Sequence, residues 1–148
     1  MASPIGNTIT TDPQMNTLVT ALKVANDQVS SLTDSVTQLT AQITTMQNAI
    51  TQYTSETTLY ASLAARITAL DAASTSSANI AADPQCFAYG ASIGNNQTTI
   101  ANINGLIPQL QQNLAVLTQQ QSDAVAAAAS LLAQVSARMD VLRGITSS

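Results

Sequence analysis

From Met15 to Tyr53 the apolar residues recur at alternating steps of three and four, without a skip. They are Met15, Leu18, Leu22, Ala25, Val29, Leu32, Val36, Leu39, Ile43, Met46, Ile50 and Tyr53. The phase continues more weakly through Thr57, Tyr60, Ala64 and Ile67. An apolar seam kept over this many turns is the signature of a coiled-coil helix, and no Gly or Pro interrupts it. Asp12-Pro13 supplies the start: Asp12 can cap free backbone N–H groups, and Pro13 suits a position where no N–H is needed. The first helix is therefore expected over 13–70, after an extended arm over 1–12 that contains Pro4 and Gly6.

A second seam begins near Ile93 and is clear from Ile100. It runs through Ile103, Ile107, Leu110, Leu114, Leu117, Gln121, Ala124, Ala128, Leu131, Val135, Arg138, Leu142 and Ile145. A second helix is expected over 93–146, kinked or restarted near Gly105-Pro108, because proline removes a backbone bond and crowds the preceding turn. Gly144 reads as its stop, and Arg138 and Arg143 suit its negative end. Between the helices, 71–92 reads as a connecting loop or tip: small polar residues, then Asp83-Pro84, then Cys86-Phe87-Ala88-Tyr89-Gly90. The expected fold is all-α, a long antiparallel hairpin with coiled-coil heptads, packed into an oligomeric bundle. A turn near Ala82 would set Val36 and Leu39 close to Ala128 and Val125.

The apolar surface exceeds what one seam uses. Leu59, Leu63 and Leu70 lie off the first seam, and Val125, Leu132 and Met139 lie off the second. These six, with Phe87 and Tyr89 at the tip, are the expected oligomer or partner contacts. Gln121 and Arg138 are polar residues on a seam, where such groups fix register or partner number at a cost in stability.

Composition narrows the function. Only 8% of the 148 residues are charged and the net charge is −4. The cations are Lys23, Arg66, Arg138 and Arg143, too few and too scattered to neutralise a phosphate backbone or an anionic membrane surface. There is no His, and no two carboxylates lie within four residues of each other. No enzyme activity, metal or cofactor is therefore expected. Cys86 is the single cysteine and reads as a small hydrophobe. The spacing of Gly90, Gly94 and Gly105 holds no phosphate, and Asn96-Gln97-Thr98 is a sequon of the kind a polar chain carries by chance. The first thirteen residues lack the basic and apolar regions of a Sec signal, and no unbroken apolar run approaches the ~18 residues of a membrane span.

The expectation is a structural, assembly-forming protein whose partners are itself and other proteins of the same assembly. A virion subunit leads: a phage fibre, a decoration protein or an internal particle protein. Uncharged seams tolerate changing salt, as repeated interfaces in a particle must. The composition is also similar to that of flagellin-type terminal helices and secretion-needle proteins. That likeness implies a subunit of a secreted helical filament, located outside the cell. A helical pore-forming or effector protein is a further alternative.

Overall fold

The computed structural model describes residues 11–73 and 84–146. Two helices order them: α1, Pro13–Ala73, and α2, Pro84–Thr146. They pack against each other as a helical hairpin. α1 begins as its sequence predicts. The Asp12 carboxylate accepts the Met15 N–H at 2.7 Å, and the Asp12 carbonyl accepts the Asn16 N–H at 3.1 Å. Pro13 stands where the missing donor costs nothing.

Three expectations need correction. α2 starts at Pro84 rather than near Ile93, and α1 reaches Ala73, so residues 71–73 and 84–92 of the expected connection are helical; residues 74–83, like most of the expected arm (1–10), are outside the described residues. The physical reason is that the second seam extends backwards in phase, from Ile100 through Asn96, Ile93 and Tyr89 to Cys86, and each of these is half-buried. The polar Asn96 and the nearby glycines masked that continuity. Second, α2 does not restart at Pro108, which lies inside the helix. Third, the helices are shifted against the expected register. Thr33 meets Gln121, Glu56 meets Asn96, and Cys86 meets Ala64. The expected alignment would have set Thr33 near Leu131, roughly three helical turns further along. The shift goes with the earlier start of α2, whose residues 84–92 are helical and not part of a connection.

By contacts the chain forms two compact units, one of Met1–Gln38 with Asn113–Ser148, the other of Leu39–Gln112. In both, burial follows the alternating spacing. Every seam residue whose side chain is described is buried or half-buried. The first unit holds a cluster of Met15, Val135 and Leu142, with Leu18, Leu22 and Met139 packed against it. Ala25, Ala124 and Ala128 are also buried there. In the second unit Ile43 is the one buried hydrophobic among the described residues. Its larger seam residues, among them Met46, Ile50, Ile103, Ile107 and Leu110, are half-buried.

The outer face of α1 is rich in threonine. Thr33, Thr37, Thr44, Thr51 and Thr58 each donate their hydroxyl to the carbonyl four residues earlier, at 2.8–3.2 Å. Threonine is a mediocre helix former, so burial of the seam must hold α1 together.

α2 is more apolar on average than its lack of an unbroken apolar run suggests. A window of 18 residues within Gln85–Gly144 reaches a mean hydropathy of 1.3, with 11% of it buried. By length and composition this helix is apolar enough to cross a membrane. Single Gln and Ser residues break the run without lowering the average far.

Candidate functional site

The polar seam residues have cross-helix partners. Arg138 reaches Asp12 with two hydrogen bonds, Nε to Oδ2 at 3.0 Å and Nη2 to Oδ1 at 2.7 Å. The Asp12 side chain is 11% exposed and that of Arg138 25%. Asp12 thus does two jobs, capping α1 and holding α2. The Arg138 guanidinium, above all, holds the Asp12 carboxyl below its ordinary range; the Met15 N–H adds to the effect and burial opposes it. The same pair raises Arg138. Arg143, expected at this end, instead lies 3.8 Å from Asp140 on its own helix. Gln121 Nε2 donates to Thr33 Oγ1 at 2.8 Å.

The expected contact residues divide by environment. In the first unit Val125 is 50% exposed and Leu132 58%, whereas Met139 is half-buried against the Met15 cluster. An open groove beside Arg138 is lined by Gln14, Leu18, Gln134, Ala137 and Val141. In the second unit Leu59, Leu70 and Phe87 are well exposed, and Leu63 is half-buried. Tyr89 turns inward and stacks on Tyr60, with ring centroids 5.5 Å apart and planes 22° from parallel. The two tip aromatics therefore part company, one on the seam and one in solvent.

Asn96 donates to Glu56 at 3.4 Å and is half-buried on the seam, a poor place for a glycan. Cys86 Sγ lies 3.7 Å from the Ala64 carbonyl oxygen and 3.9 Å from Thr68 Oγ1. Sequence reasoning missed Asp12–Arg138, Tyr60–Tyr89 and Glu56–Asn96 as pairs. The signal was there in the last two: once Cys86, Tyr89, Ile93 and Asn96 are read as seam, Tyr89 falls to Tyr60 and Asn96 to Glu56 across the hairpin. Among the described residues no three His, Cys, Asp or Glu side chains gather as a metal site.

Comparisons of this chain with protein families, curated proteins and solved structures returned no match.

Proposed function

We propose that this chain is a non-enzymatic assembly subunit that associates with copies of itself through apolar helix faces, in a virion as a fibre, decoration or internal particle protein. One observation carries the reading: after the two helices have packed, large apolar side chains remain exposed in both units, among them Leu59, Leu70 and Phe87 in one and Val125 and Leu132 in the other. Surface of this kind is covered by association. Charge does little to oppose it, since Asp83 is the sole charged residue between Ala72 and Ser122. The coiled-coil character of the seams and the register-setting roles of Gln121 and Arg138 belong to the same proposal. So does the placement in a particle or extracellular filament.

The test is the mass of the purified chain at micromolar concentration in low and high salt, followed by electron microscopy. Oligomers indifferent to salt that form regular particles or fibres support the reading. A stable monomer overturns it. Long uniform filaments would favour the secreted-filament alternative over the virion.

The hydropathy of α2 favours a second reading, a membrane-active helical protein. Release of dye from lipid vesicles by the purified chain distinguishes it from the first.

A further inference from the structure

Asn104-Gly105 is the one Asn-Gly pair in the chain. Asparagine is among the thermally labile residues, and its degradation is intramolecular. The backbone nitrogen of the next residue attacks the side-chain carbonyl carbon and closes a cyclic imide. A side chain on that next residue crowds the attack, and glycine has none. Asn104 and Gly105 are both exposed, and a Cβ built on Gly105 meets no atom within 4 Å. Water and base therefore reach the reacting atoms.

A regular helix suppresses this reaction. It holds each residue at ψ of about −42°, whereas ring closure needs the peptide group between Asn104 and Gly105 to rotate away from the helix axis. The helix ladder resists that rotation at both edges of the group. The Gly105 N–H is directed at the Ala101 carbonyl, and the Asn104 carbonyl would receive the N–H of residue 108. Residue 108 is a proline inside α2. It has no N–H to give, and its ring presses on the carbonyl four residues earlier, that of Asn104. The peptide group that Pro108 unlatches is thus the one whose nitrogen must attack. Glycine loosens it further, because its own φ is unrestrained by a Cβ. No other described asparagine has either feature. Asn48 is followed by Ala49 and Asn102 by Ile103, and the residues four positions on, Gln52 and Leu106, carry an N–H.

We propose that Asn104 is a self-modification site, converted without an enzyme through an imide with Gly105 to aspartate and isoaspartate, with Pro108 as the residue that opens the helix to the reaction. The Gly105 nitrogen gives its proton to water or hydroxide and bonds to Asn104 Cγ. The side-chain amide leaves with a proton as ammonia. Water then opens the imide, placing OH on a carbonyl carbon and H on the nitrogen. Breaking the new N–Cγ bond leaves aspartate at position 104. Breaking the original peptide bond instead leaves isoaspartate, in which the chain runs through Cβ and Cγ.

This inference is independent of the assembly reading. Either product places a carboxylate where Asp83 is the sole charge between Ala72 and Ser122, and takes the net charge below −4. Isoaspartate also adds a methylene to the backbone between Ile103 and Ile107, two half-buried seam residues. It therefore breaks the spacing by which α2 keeps its seam on α1.

The experiment ages the full chain in warm, mildly alkaline buffer, alongside Gly105→Ala and Pro108→Ala. Both substitutions favour the helix, so neither endangers the fold; far-UV circular dichroism checks this. Ammonia release and mass mapping of fragments read conversion at each asparagine, and a methyltransferase specific for isoaspartate separates the two products. Asn104 should convert at least tenfold faster than Asn48 or Asn102, and Gly105→Ala should suppress this at least tenfold. Pro108→Ala restores the missing N–H while leaving Asn-Gly intact, and should slow conversion several-fold. Conversion at Asn104 no faster than at Asn48 or Asn102 overturns the site. Wild-type speed in Pro108→Ala overturns the opening of the helix by Pro108.

Discussion

Arg138 of α2 grips Asp12, the residue that caps α1, through both of its carboxylate oxygens. The start of one helix is thereby tied to a seam position on the other. The sign of its pH dependence follows. The folded state lowers the Asp12 pKa, so the stabilisation is fully present above the unfolded value of about 3.9 and is lost as pH falls through the lower folded value. The thermal midpoint should lose this contribution only in the acid range, below about pH 4. Asp12→Asn retains a capping side chain but no charge, so its melting curve should show a smaller acid-dependent loss. Melts from neutral pH to the acid range check this, and identical acid losses in the two proteins would count against the pair.

Seam and face positions should differ in cost. Ile43→Ala removes the buried hydrophobic of the second unit and should destabilise by about 2–3 kcal/mol. Gln42→Ala, next to it and exposed, should change stability by less than about 0.5 kcal/mol. Denaturant unfolding measures both. Similar values would mean that the alternating spacing does not govern packing.

The register can be trapped with one substitution. Thr68 Oγ1 lies 3.9 Å from Cys86 Sγ, so Thr68→Cys should form a disulfide with Cys86 inside one chain under mild oxidation. Non-reducing electrophoresis and mass measurement read the product. Crosslinks found solely between chains would indicate helices exchanged between copies.

Association should barely respond to salt, because few ion pairs are available to screen. Val125→Gln with Leu132→Gln should weaken it at least tenfold while leaving helix content unchanged. Sedimentation in low and high salt tests the first point, and the double variant tests the second. A strong salt dependence would point to charged contacts that the sequence hardly provides.

The sequence made the helical class legible because seam spacing is a local signal that needs no knowledge of the partner. The Asp12-Pro13 start was legible for the same reason. The register was not, because it depends on where α2 begins, and Asn96, Gly90 and Gly94 made its first turns look like loop. The Asp12–Arg138 pair was half visible. Both residues stood out, one as a cap and one as a polar seam position, but their meeting depends on a long-range alignment that spacing alone leaves open.

The threonine hydroxyls of α1 have a consequence for how this surface meets water. Thr37, Thr44, Thr51 and Thr58 have each committed their proton to a carbonyl of their own helix. Towards solvent these positions retain oxygen lone pairs and a methyl group, and little to donate. They form a one-way hydration surface, which receives hydrogen bonds from water but does not return them. Counting threonine as an ordinary polar residue overstates how firmly the first water layer is held along this helix.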